Sequence, residues 1–131
     1  MYTGNYECLE LFVKPDEGKK GSVLLKNVKE STTETKELKH IYGNWIKFPV
    51  SRNTEYEIST QDCTITFAYL SECENIMENG ICVLDTTDNY KEMNKEEFLR
   101  FIDTPYREQY HFSPVVNWNN DPNGLCWFKG Y

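Results

Sequence analysis

Apolar and polar residues alternate with a period of two through most of the first 85 positions, and a chain patterned this way folds as strands with one buried face. The run Cys63-Thr-Ile-Thr-Phe-Ala-Tyr-Leu70 shows it best, with β-branched and aromatic residues alternating with threonines. Tyr6 to Val13 reads as an earlier strand, closed by Pro15 and the charged turn from Asp16 to Gly21. Ser22 to Lys29 follows as a second, and the Ser/Thr/Glu-rich stretch from Glu30 to Glu37 reads as a loop. Trp45 to Val50 and Tyr56 to Ser59 are further strands. After a polar loop from Ser71 to Gly80, Ile81 to Asp85 returns as the partner of the Cys63 run. Short strands at this spacing predict a mainly β fold, an antiparallel, jelly-roll-like β-sandwich.

The pattern changes once. Asn94 with Glu97 three positions on makes a capping box, and Phe98, Leu99, Phe101 and Ile102 give the turns that follow an apolar face. One short helix is therefore expected, ended by Asp103-Thr104-Pro105, and a domain boundary falls near Asp103. Residues 1–103 make one unit on this reading, and 104–131 begin another.

Composition narrows the partners. Lys and Arg number 14 against 21 for Asp and Glu, a net charge of −7, whereas nucleic acid and anionic membrane both require clustered positive charge. A neutral partner such as a sugar suits the chain better. Apolar residues at 39% suffice for a core, and aromatics at 15% favour strands. The five cysteines, Cys8, Cys63, Cys73, Cys82 and Cys126, are odd in number and irregularly spaced, so neither a zinc site nor an obligate disulfide framework is expected. Reduced thiols and the absence of a leader-like start after Met1 predict a cytoplasmic protein, secreted instead if a signal segment was removed. No stretch is long enough to span a membrane. Asp85 to Glu96 resembles a calcium loop only loosely, because Tyr90 stands where the sharp turn requires Gly. No metal and no cofactor is expected.

Chemistry gathers at the other end of the chain. Asn120-Asp121-Pro122-Asn123-Gly124 sets one carboxylate before a tight turn: Pro122 biases Asp121 to extended angles, and Asn123-Gly124 tolerate the turn that follows. Tyr106, Tyr110, Phe112, Trp118, Trp127 and Phe128 crowd aromatic faces around that acid, a combination suited to the apolar faces of sugars.

These residues carry a resemblance. Tyr106-Arg107, Tyr110-His111-Phe112-Ser113-Pro114 and Trp118-Asn119-Asn120-Asp121-Pro122-Asn123-Gly124-Leu125 resemble the opening of the catalytic domain of glycoside hydrolase family 32, the invertases, sucrose-6-phosphate hydrolases, levanases and inulinases. The resemblance implies a five-bladed β-propeller with Asp121 as nucleophile and Asn120 and Trp118 lining the fructosyl subsite. It implies that His111 helps to hold the first blade. One position departs from the family pattern, Asn119 standing where Met is usual. A retaining glycosidase also needs a second carboxyl group, about 5–5.5 Å from the first. In the family that acid/base and a transition-state-stabilising aspartate come from downstream Glu-Cys and Arg-Asp-Pro segments, which are not among the 131 residues.

The expected architecture is thus an N-terminal accessory β-sandwich, residues 1–103, followed at 104–131 by the first strand of an incomplete propeller. The parent protein is expected to act on sucrose, sucrose 6-phosphate or small fructans, the 131 residues alone being inactive. The remainder of the catalytic domain is one expected partner. Self-association through the exposed C-terminal strand is another. The alternative is a non-catalytic module that binds carbohydrate or braces the propeller, for which Tyr42, Trp45 and Tyr56 are the candidate sugar-binding aromatics.

Overall fold

A computed structural model describes residues 1–72 and 75–102. Eight strands and two helices follow in order: β1 Cys8–Pro15, β2 Ser22–Asn27, β3 Thr33–Glu37, β4 Asn44–Pro49, β5 Tyr56–Gln61, β6 Cys63–Ser71, α1 Ile76–Asn79, β7 Ile81–Asp85, β8 Lys91–Glu92 and α2 Lys95–Ile102. All strand pairs are antiparallel, in a five-stranded sheet β4-β1-β6-β7-β8 and a three-stranded sheet β3-β2-β5. The antiparallel sandwich expected from the alternation is what the chain forms, in a five-plus-three division.

Register explains why the alternation works. Leu9, Leu11 and Val13 of β1 stand opposite Phe48, Ile46 and Asn44 of β4, and opposite Leu70, Ala68 and Ile65 of β6. Their apolar members meet Val23, Leu25, Tyr56 and Ile58 of the smaller sheet in one core. Leu9, Leu11, Val13, Val23 and Phe48 are fully enclosed, each worth roughly 1.5–3 kcal/mol relative to an exposed side chain.

Strand β6 does not keep its parity. Between Phe12 and Val13 the pairing with β1 slips by one residue, a bulge in which Thr66 is the unmatched position. Ile65 faces the core before the slip, and Ala68 and Leu70 face it afterwards. Phe67 and Tyr69 are thereby turned to the outer face, beside Phe12 and Glu10 of β1.

Three elements differ from the sequence reading. The stretch from Glu30 to Glu37, which reads as a loop in the sequence, contains β3, whose residues Thr-Glu-Thr-Lys-Glu carry no apolar side chain. As an edge strand it closes the margin of the core with Lys36, whose ammonium lies 4.8 Å from the Phe48 ring centroid and donates to the Lys47 carbonyl of β4. The polar loop after β6 contains the single turn α1. The two-residue strand β8 closes a hairpin in which Asn89 and Tyr90 both adopt positive φ, 49° and 54°.

Helix α2 starts where the capping box placed it. Asn94 Oδ1 accepts from the backbone N–H groups of Glu96 and Glu97 at 2.9 and 3.0 Å, and Glu97 Oε2 accepts from the Asn94 N–H at 2.9 Å. No helix among the described residues is long and apolar enough to cross a membrane.

Candidate functional site

Asp121, Asn120, Trp118 and His111 lie outside the described residues, as do the boundary at Asp103 and the expected propeller strand. Structure bears instead on the three aromatic candidates of the sandwich, and it separates them. Tyr56 is 7% exposed and belongs to the core, with its hydroxyl oxygen accepting from the Ser51 N–H at 3.0 Å. Tyr42 and Trp45 are exposed, at 86% and 52%.

Trp45 owes its place to strand parity. In β4 the even positions Asn44, Ile46 and Phe48 are buried, so the indole of Trp45 stands on the outer face of the larger sheet. There it joins an aromatic cluster, with ring centroids 5.2 Å from Phe12, 6.3 Å from Phe67 in an edge contact and 6.0 Å from Tyr69. Phe67 and Tyr69 are themselves 5.9 Å apart. Packing of this kind fixes the attitude of a ring as well as adding stability. The bulge supplies two of the four rings, and strict alternation along β6 conceals that placement from a reader of the sequence.

The loop before Trp45 is closed by one side chain. Asn44 Oδ1 accepts from the N–H groups of Lys39 and His40 at 2.8 and 2.9 Å, while its Nδ2 donates to the His40 carbonyl at 2.7 Å. Gly43 lies against Phe12, where a Cβ would come within 2.6 Å of the ring. With its base held this way, the loop carries Ile41 and Tyr42 out into solvent.

A groove of about 830 Å³ runs along this margin, between the edge strands β3 and β4. Trp45 and Gly43 form part of one wall, and Lys36, Glu37, Lys39 and His40 supply polar groups. Its size is that of a small-molecule site, and the mixture of one aromatic ring with several hydrogen-bonding side chains suits a hydroxylated ligand.

Elsewhere the polar groups are structural. The Tyr69 hydroxyl donates to Glu10 at 2.7 Å, and burial, followed by this bond and the carboxylate charge, pushes its pKa up. Burial and the nearby Glu92 carboxylate push the Cys82 thiol up to about 12, so it is neutral in ordinary buffers. Cys8, Cys63 and Cys82 are all buried, and Cys8 Sγ lies 3.9 Å from Glu10 Oε1. Asp85 accepts from both the hydroxyl and the N–H of Thr87 at 2.6 and 2.8 Å, which holds its carboxyl below the usual range. Among the described residues no three His, Cys, Asp or Glu side chains converge as a metal ion would require.

No family model matches the chain. Over 28 residues it is 68% identical to an extracellular exo-inulinase of Aspergillus niger, a match covering 21% of this chain and 5% of that protein. Over 55 residues it is 40% identical to an insoluble-isoenzyme β-fructofuranosidase of Arabidopsis thaliana, covering 42% of this chain and 8% of the other. Among solved structures, a glycoside hydrolase family 32 protein from Bifidobacterium adolescentis superimposes with a TM-score of 0.68 at 23% identity, over 96% of this chain and 20% of that one. The chain thus shares its fold with a glycoside hydrolase family 32 structure, and its matches span 5% and 8% of the length of the exo-inulinase and the β-fructofuranosidase it resembles.

Proposed function

We propose that the chain is the N-terminal part of a retaining β-fructofuranosidase-type hydrolase, with residues 1–103 as an accessory sandwich and 104–131 as the opening of the catalytic domain. The observation that carries this reading is the short, strong sequence likeness to an exo-inulinase and a β-fructofuranosidase. A match of 28 residues at 68% identity suits a single segment held by chemistry, and the Trp118 to Leu125 run has the residues for it.

In this mechanism the Asp121 carboxylate attacks the anomeric carbon of the fructosyl unit while a second carboxylic acid protonates the departing oxygen. Water, deprotonated by that second group, then releases fructose from the ester on Asp121. Trp118 offers an apolar face to the sugar ring, and Asn120 a hydrogen-bonding amide beside the nucleophile. Neither step calls for a metal or a cofactor. The acid/base comes from a segment outside these 131 residues, so the substrate class, a β-fructoside, is a property of the longer protein. The exo-inulinase it resembles is extracellular; the thiols of Cys63 and Cys82 are buried and so shielded from oxidation in either compartment.

The test is a fructose-release assay on a longer product of the same reading frame, with Asp121→Asn beside it. The substitution is expected to lower kcat on the order of 10³-fold or more, and the 131-residue chain is expected to release none. Full activity in the Asp121→Asn variant overturns the assignment. On this reading residues 104–131 open a blade whose other strands come from the longer protein, so the isolated chain is expected to self-associate through them. Sedimentation velocity checks this, with residues 1–131 concentrating into dimers or larger species and residues 1–103 staying monomeric.

A further inference from the structure

Ile41, Tyr42 and Trp45 stand 74%, 86% and 52% exposed along one margin of a sandwich whose other large apolar side chains are mostly covered. They are not loose. The indole is held by Phe12, Phe67 and Tyr69, and the Asn44 side chain fastens the loop that carries Tyr42. Beside the indole lies the groove with Lys36, Glu37, Lys39 and His40 on its walls. A pyranose or furanose ring presents C–H groups on one face and hydroxyls around its rim, so it needs a fixed aromatic surface below and charged or amide groups at the side. Protein–protein interfaces are depleted of Lys and Glu at their centres. A groove walled by lysines and a glutamate is therefore better matched to a hydroxylated ligand than to a protein surface, and the net charge of −7 disfavours a polyanion.

We propose that this groove is a carbohydrate-binding site for a fructan chain, in which Trp45 lies beneath a fructosyl ring and Tyr42 borders the neighbouring unit. The choice of fructan rests on the reading of the parent protein as a β-fructosidase. The site holds polymer on the molecule that cleaves it, which raises the local concentration of chain ends and leaves the reaction itself unchanged. None of the residues assigned to catalysis is among those that line it.

The test titrates the 131-residue chain with an inulin-type fructo-oligosaccharide and follows both the heat of binding and the indole N–H resonance of Trp45. The expected result is a shift of that resonance on titration, with Trp45→Ala weakening binding about tenfold, or about 1.4 kcal/mol, and Tyr42→Ala severalfold. Tyr42 is almost wholly solvent-exposed, so its variant keeps the fold whatever happens at Trp45. Asp121→Asn in the same chain is expected to leave the Trp45 shift in place. Unchanged affinity in both aromatic variants overturns the site. Equal Trp45-dependent binding of a cello-oligosaccharide overturns the choice of fructan, and Trp45-dependent self-association points instead to a protein surface and overturns the proposal. The catalytic reading fails separately, since active Asp121→Asn enzyme alongside Trp45-dependent fructan binding removes the nucleophile and keeps the groove.

Discussion

Asn44 shows how one buried side chain can decide what a surface presents. Its amide satisfies two backbone donors and one acceptor across a loop of six residues, and its own position in β4 is fixed by pairing with Val13. Asn44→Ala leaves the Lys39 and His40 N–H groups without their acceptor. The expected cost is about 1–3 kcal/mol, read as a lower midpoint in urea with an unchanged m-value, together with faster amide exchange at residues 39 and 40. Asn44→Asp keeps the acceptor and loses the donor, and is expected to fall between the two. The sequence predicted Tyr42, Trp45 and Tyr56 as one set because all three are aromatic. Only the contacts distinguish them: Trp45 stands opposite Phe12 across the outer face of its sheet, whereas Tyr56 belongs to the buried core. Exposure of a ring is a property of register, which a single residue type does not carry.

Elements were legible in proportion to how locally they are determined. The capping box at Asn94 and Glu97 uses hydrogen bonds within four residues, and it was readable without any tertiary knowledge. Asn94→Ala is expected to fray the first turn of α2 and to lower helix stability by ~1 kcal/mol, seen as loss of exchange protection at Glu97 and Phe98 with the sheets unaffected. Strands with a buried face, such as Ser22–Asn27, were readable from their period. Strand β3 was not, because its residues are polar throughout and its existence depends on pairing with β2. The bulge in β6 was equally hidden: the Thr-Ile-Thr-Phe sequence alternates perfectly, and only the partner strand reveals the slip between Phe12 and Val13. The nucleophile candidate has the opposite standing. Its motif is explicit in the residues from Trp118 to Leu125, yet these lie outside the described residues, so the site was read from chemistry and resemblance rather than from geometry.

At the level of the molecule, the two sheets share one core and β1 is an interior strand of the larger one, bonded to β4 on one side and β6 on the other. Opening this pair requires disruption of both neighbours, so amide exchange in β1 and β6 is expected to be the slowest of the described residues and to track global unfolding. Edge strands β3 and β8 are expected to exchange first. Rates in β3 as slow as those in β1, measured by mass spectrometry on the intact chain, contradict this ordering. The placement of β1 also bears on how the chain is made. It leaves the ribosome before every strand it will pair with, and its two neighbours start only at Asn44 and Cys63. Until Ser71 has emerged, residues 8–15 have no complete pairing available, and their apolar side chains stay without their partners. A pause in translation before Cys63 prolongs that exposure, whereas one after Ser71 lets the centre of the sheet close, so the timing of synthesis acts on this sandwich through a strand that was finished long before.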